Sequence, residues 1–389
     1  MLTAMADDGS SSIDATPLLE AASAERVRIG RFNLAILGGT GVGKSSLVNA
    51  IFGKKLARTG VGMPVTKGID YYTNSDKTLG IWDFEGFEVG MGRSPAEIVR
   101  ENLQIISAGP QAQQIAAVWY CIASTSARLQ PAEIEVIRQF RAQGLPVVLV
   151  LTKVTRVKNP VTGKWTVSDE TQQLRDWLTV QWEWPDDSTV DLPINALALT
   201  AAIDQGKFGG PAHGLDELLT KTFDLTPEDS RDALRVAQQL SLPLKREMCR
   251  RVIAAAAAAS TAAAIQPIPV ADALLIAPIQ FRMMGKIAAY YGLDLKVVFS
   301  VQALTQMAVQ FAGKALARNV LRLIPGGGNL INGTIAMALT TATGEAWLRL
   351  CEAVFLGKID LKDVERKWQD YAPTVLQVIN AMRTRGVNK

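Results

Sequence analysis

The chain has 389 residues, a formal charge of +4 and three cysteines, Cys121, Cys249 and Cys351, none in a C-x-x-C or Cys/His grouping. Such a length predicts about two to three domains. The cysteine spacing excludes a disulfide framework or zinc cluster, and the mild charge, with Lys and Arg dispersed, carries no specific nucleic-acid signal.

Residues 1 to 25 are acidic and small polar, with Asp7, Asp8 and Ser10 to Ser12, and lack a basic run followed by an apolar core. They read as a disordered leader, and the expected location is the cytoplasm, with peripheral contact at a membrane left open. The apolar run Phe32 to Leu37 predicts a strand, and Ser46 to Phe52 predicts a helix. Between them lies Gly38-Gly39-Thr40-Gly41-Val42-Gly43-Lys44-Ser45, a G-x-x-x-x-G-K-[ST] phosphate loop followed by Ser46. Its glycines let successive N–H groups turn toward phosphate oxygens, Lys44 reaches the β and γ oxygens, and the Ser45 hydroxyl ligates magnesium at a helix N-terminus. The motif predicts a nucleoside triphosphate with Mg2+.

Lys54 to Thr66, with Gly60, Gly62 and Pro64, reads as a loop without regular structure. Thr66 is the candidate for a switch threonine, its hydroxyl on magnesium and its N–H on the γ-phosphate; a plain start to the next strand, Ile69 to Thr73, is the alternative. Thr78 to Asp83 predicts a strand that delivers Asp83-Phe84-Glu85-Gly86, a D-x-x-G sequence. Asp83 would hold a magnesium-bound water, and Gly86 would present its N–H to the γ-phosphate with no side chain in the way. Lys44, Thr66 and Gly86 are thus the catalytic candidates, and Ser45, Thr66 and Asp83 the metal set. Phe87 follows Gly86 and cannot orient a water by hydrogen bonding, so unaided hydrolysis is expected to be slow.

A strand is expected over Ile115 to Ile122, a helix over Pro131 to Gln143 and a buried strand over Pro146 to Leu151. The last of these leads into Thr152-Lys153-Val154-Thr155, the slot of an [NT]-K-x-D base-reading motif. Thr152 and Lys153 fit it, but Thr155 offers one neutral hydroxyl where a carboxylate would accept two hydrogen bonds from guanine. Arg156 to Pro185 holds Trp165, Trp177, Trp182 and Trp184, and an amphipathic helix is expected from Ser168 to Glu183. A strand over Asp191 to Leu197 would present Asn195 and Ala196 to the base. His213, the sole histidine, sits in a Gly-rich loop and is assigned no catalytic role.

This alternation predicts an α/β class, with a doubly wound, mostly parallel sheet over residues 26–225 and an all-α helical domain over 226–389. GGTGVGKSSLVNAIFG, GMPVTKGI, WDFEG, VVLVLTKV and GLDELLTKT, in that order over residues 30 to 225, resemble the Era-like branch of translation-factor-class P-loop GTPases. The resemblance implies GTP and GDP as ligands, and hydrolysis with Mg2+. Some members of that branch ligate potassium through an Asn where this chain has Gly41, so that route is not expected here.

From Val252 to Gly344 there are only eight charged residues, and the uncharged stretches Val252 to Ala271, Val297 to Gly313 and Leu323 to Gly344 stand out. Each falls short of a clean membrane span: the first is broken by Pro267 and Pro269, the second carries a polar stripe of Gln302, Gln306 and Gln310, and the third opens on Pro325 to Asn329. A compact bundle is expected, with a bundle that docks on a lipid bilayer as the alternative. One long helix from Pro227 to Ala264 would join the domains, and Asp360 would cap a last helix over Leu361 to Met382. IPVADALLIAPIQFRMMGKIAAYYG and LIPGGGNLINGTIAMALTTATGEA are similar to the uncharacterised helical domain of a bacterial, in part cyanobacterial, GTPase family. The expected function is a GTP switch controlling the helical domain's packing, partner or membrane contact. A dynamin-like protein forming nucleotide-dependent homodimers and an ATP-binding or non-selective sensor are the alternatives.

Overall fold

The computed structural model describes residues 16–53, 56–58, 69–84, 94–126, 129–179, 182–183, 189–190, 192–206, 209–265, 272–295 and 329–372. It divides into two compact units, residues 29–242 and residues 1–28 with 243–389.

In the first unit, β1 (Phe32–Leu37), β5 (Ala117–Ala123) and β6 (Val147–Thr152) are buried along their whole length. Runs this apolar, rich in Val, Ile and Leu, are what a parallel sheet covered on both faces requires. With β2 (Leu56–Arg58), β3 (Ile69–Asn74), β4 (Leu79–Phe84) and β11 (Ala196–Leu199) they form one seven-stranded sheet, ordered β11-β6-β5-β1-β4-β3-β2. The four ladders from β11 to β4 are parallel, and β4–β3 and β3–β2 are antiparallel. This is the α/β, mostly parallel sheet expected.

Successive strand residues point to opposite faces, so each face has its own core. Leu37, Phe84, Tyr120 and Leu149 pack in one cluster with residues of α3 (Pro95–Ala108), α4 (Pro131–Ala142) and α5 (Asp169–Thr179). On the other face Trp119 stacks on Phe52 of α2 (Lys44–Phe52) at 5.8 Å and donates its indole N–H to Thr222 of α6 (Leu215–Leu225) at 2.9 Å. Between α4 and α6 the chain makes two small antiparallel ribbons, β7 (Arg156–Lys158) with β8 (Trp165–Val167), and β9 (Trp182–Glu183) with β10 (Thr189–Val190).

Several expectations are corrected. Leu56–Arg58 pairs with β3 inside the segment expected to be structureless. The helix expected from Ser168 to Glu183 ends at Thr179, and Trp182–Glu183 is a strand. The long linking helix is two helices, α7 (Glu228–Ala237) and α8 (Leu242–Ile265), and α7 lies in the first unit. The break is held by Gln238, fully buried, whose side-chain oxygen accepts the Leu240 and Ser241 N–H groups while its amide donates to the Ser241 carbonyl at 2.8 Å.

The second unit contains α8, α9 (Asp272–Tyr290), α10 (Asn329–Phe355) and α11 (Val364–Tyr371). It also contains most of a helix the sequence hid, α1 (Thr16–Ile29), so the leader expected to be disordered to residue 25 is helical from Thr16. Close helix approach rests on small residues: a Cβ on Gly285 would stand 2.2 Å from the Leu18 carbonyl of α1. Glu25, 3% exposed, accepts the Tyr290 hydroxyl at 2.7 Å and pairs with Arg28 and Lys286. Burial alone would raise its pKa, but the Arg28 and Tyr290 hydrogen bonds and the two cations hold it below the usual carboxylate value. Asp360 accepts the Lys362 N–H at 3.0 Å and caps a short 3-10 turn, Leu361–Asp363, so the last helix, expected to begin at Leu361, begins at Val364. Among the described residues no helix is long and apolar enough to cross a membrane. The stretch Val297 to Gly313 lies outside them.

Candidate functional site

The phosphate loop leaves the carboxyl end of β1 and enters α2 directly. Gly38 (φ 135°), Gly41 (φ 75°) and Gly43 (φ 105°) take backbone angles that side-chain-bearing residues rarely adopt. Gly43 is the N-cap of α2, no side chain occupies the N–H groups of its first turn, and no acidic residue lies there. An unsubstituted, uncapped helix start of this kind presents N–H groups and the positive end of the helix dipole to an anion. Lys44, the first helical residue, folds back to donate to the Gly38 carbonyl at 2.8 Å and the Gly39 carbonyl at 3.3 Å. Ser45, next on the helix, is exposed.

Asp83 closes this end of the neighbouring strand, in register with Ile36, two residues before Gly38. Between the two strands' ends and β6 sits Cys121, whose thiol is pushed up to about 12 by burial; Lys44 draws it down and Asp83 raises it further. This thiol feels both charges yet stays protonated, so it is floor and not nucleophile. Thr152, at the end of β6, reaches the Val42 carbonyl at 2.6 Å and the Ile122 carbonyl at 3.1 Å, tying the phosphate loop to the sheet. Lys153 follows with φ 55°, exposed, its carbonyl accepting from Ser124 at 3.0 Å.

Beside the loop opens a cleft of about 280 Å³ walled by Val42, Gly43 and Ser46, by Thr152 and Lys153, and by Thr200 and Ala202 to Gln205 of the segment after β11. Asn195 and Ala196, expected to face the base, stand instead where β11 begins. The Asn195 side chain accepts the Val147 N–H at 2.8 Å, at the start of β6 and a strand's length from the cleft. Pro193 has no N–H to give a ladder, so the strand starts later than expected and its carboxyl end moves to Leu199. Thr200 and Ala202 line the cleft instead of Asn195 and Ala196. Their signal is an apolar Ala196–Leu199 run followed by a polar Thr200 and two small residues. Thr155 is not part of the cleft wall, and its carbonyl accepts the Ser168 N–H at 3.2 Å. Thr66, Gly86 and Phe87 lie outside the described residues.

His213 braces this segment from behind. Its backbone pairs with Ala201 in both directions, at 2.9 and 3.0 Å, and its Nδ1 lies 3.0 Å from the Pro211 carbonyl. Burial holds its pKa below the usual value; the Pro211 contact opposes this and Arg156 adds to it. The folded form therefore favours the neutral ring, and the stabilisation is complete above the unfolded value of about 6.5 and is lost as pH falls through the lower folded one. Thermal melts of the wild type and His213→Gln across pH 5 to 8 should show the variant losing less stability on acidification; parallel curves would remove His213 as the cause.

The family model described as 50S ribosome-binding GTPase matches residues 33–153. Over 146 residues the chain is 32% identical to the probable GTP-binding protein EngB of Koribacter versatilis (strain Ellin345), spanning 36% of this chain and 71% of that protein. Among solved structures, the G domain of the T. maritima FeoB iron transporter is 17% identical with a TM-score of 0.30, covering 50% of this chain and 98% of that one. A point variant of Aquifex aeolicus Era bound to GDP.AlF4- is 19% identical with a TM-score of 0.29, covering 59% and 68%. With a phosphate loop of this geometry at the head of a mostly parallel sheet, and with most of EngB's length matched, the chain belongs to the P-loop GTPases, the GTP-hydrolysing family that includes EngB.

Proposed function

We propose that the chain binds GTP with magnesium at the phosphate loop, hydrolyses it slowly without help, and uses the nucleotide state as a switch acting on its helical unit. The observation that carries this reading is the bare N-terminus of α2, with Gly38, Gly41 and Gly43 at positive φ, Lys44 over the loop and Ser45 exposed one residue on. Those residues fit a triphosphate: the N–H groups and Lys44 neutralise phosphate oxygens. Ser45 and Asp83 would hold the magnesium, which would supply positive charge to offset that of the phosphate oxygens. Slow turnover follows from Phe87, which has no hydrogen-bonding group for a water. Thr66 and Gly86 are the parts proposed to close on the γ-phosphate and release after hydrolysis.

Titrating fluorescent GTP and ATP analogues, each with magnesium, tests the assignment. GTP should bind at least tenfold tighter than ATP, since one charge-assisted hydrogen bond to the base edge is worth about 1.5–3 kcal/mol. Equal or tighter ATP binding would overturn guanine selectivity.

A further inference from the structure

We infer that Asp204 reads the guanine edge in place of the acid missing at Thr155, an inference that rests on the GTP reading above. Among the described residues of the cleft wall, Asp204 is the one carboxylate and Lys153 the one cation. The cleft is continuous with the phosphate loop through Val42, Gly43 and Ser46, so a nucleotide with its phosphates on α2 directs its base there.

The segment that carries Asp204 is held from several sides. Thr200 N–H donates to the Leu151 carbonyl at 2.7 Å, and the Val154 N–H donates to the Thr200 carbonyl at 3.0 Å. Gln205 donates through its backbone to the Gly210 carbonyl at 2.9 Å and through its side chain to the Val154 carbonyl at 3.3 Å. The Asp204 carboxylate accepts the Gly206 N–H at 2.7 Å through Oδ1, which fixes its rotation. A carboxylate has about four acceptor sites, so this contact leaves room for two more. Ile203, 63% exposed, and the stem of Lys153 provide apolar faces on which a flat ring can lie.

The chemistry then selects the base. Guanine presents two adjacent donors, N1–H and the 2-amino group, and both suit a carboxylate. Adenine presents a bare N1 at the same place, so its lone pair would face the negative charge. Thr155, outside the cleft wall with its backbone committed to Ser168, offers neither the charge nor the position.

The test exploits an exchange of donor for acceptor. Xanthine differs from guanine at C2, where a carbonyl replaces the amino group, and the side chain of Asp204→Asn offers an amide N–H to that carbonyl while keeping an oxygen for N1–H. Full-length wild type, Asp204→Asn and Thr155→Asn are titrated with N-methylanthraniloyl GDP, ADP and xanthosine diphosphate, each with magnesium. The wild type should prefer GDP, and Asp204→Asn should lose about 10- to 100-fold in GDP affinity while gaining affinity for xanthosine diphosphate. Because one ligand is gained, a misfolded variant cannot imitate the result. A wild type that prefers GDP beside an Asp204→Asn protein with unchanged selectivity overturns the role of Asp204 and leaves the GTPase reading standing, as does a switch to xanthosine produced by Thr155→Asn instead. A wild type with no preference for GDP overturns the guanine reading itself.

Discussion

Lys44→Ala is expected to abolish tight GTP binding, weakening it by about 100-fold or more, while leaving the fold intact. Lys44 donates to two loop carbonyls, and in the nucleotide complex the same ammonium would serve the β and γ oxygens. Two charge-assisted hydrogen bonds at about 1.5–3 kcal/mol each account for a loss of that size. The fold is spared because the site is the first residue of α2, where alanine is a better helix former than lysine, and because the lysine lies at the rim and not in the core. Ser45→Ala separates the metal's share: it should flatten the magnesium dependence of binding, whereas Lys44→Ala lowers affinity with or without the ion. Fluorescent GTP titrated across magnesium concentrations reads both. Unchanged affinity in Lys44→Ala would refute the phosphate-loop reading.

The parts of the site that are legible in the sequence are those whose chemistry is local. Gly38, Gly41 and Gly43 are glycines because of φ, and Lys44 and Ser45 follow at fixed spacing from a buried strand, so motif and context suffice. What escapes is set by partners distant in the chain. The acidic, small-residue composition before residue 25 reads as solvated, yet Glu25 is buried because Tyr290 and Lys286 meet it from more than 260 positions away. The apolar pattern from Pro227 to Ala264 reads as one helix, yet Gln238 turns inward and satisfies the N–H groups of a break that periodicity cannot see. Asn195 falls at the base only if the strand begins at Asp191; the missing N–H of Pro193 delays that start, and the strand's carboxyl end moves to Leu199, with Thr200 in the cleft wall just beyond it.

Gly38→Ala is expected to destabilise the GTPase unit by about 3 kcal/mol or more, a large part of a typical domain's 5–15 kcal/mol. Two separate causes act at this residue. Its φ of 135° is one an L side chain rarely adopts, and an added Cβ would stand 2.1 Å from the Cys121 carbonyl oxygen. That oxygen is backbone of β5, a central strand laddered to β1 on one side and to β6 on the other, so neither partner can shift without tearing a parallel ladder. Gly41→Ala separates the causes: it carries positive φ (75°) but meets nothing within 4 Å, so it should cost only the conformational penalty of about 1–2 kcal/mol. Circular-dichroism melts should therefore rank wild type above Gly41→Ala above Gly38→Ala, the last lowered by about 6–12 °C. Equal melting of the two variants would mean that the close approach to β5 contributes nothing. If the ranking holds, the first glycine of the motif serves the sheet as much as the phosphate: it lets the loop leave β1 flush against β5, which brings the start of α2, Lys44 and the end of β4 to the same edge.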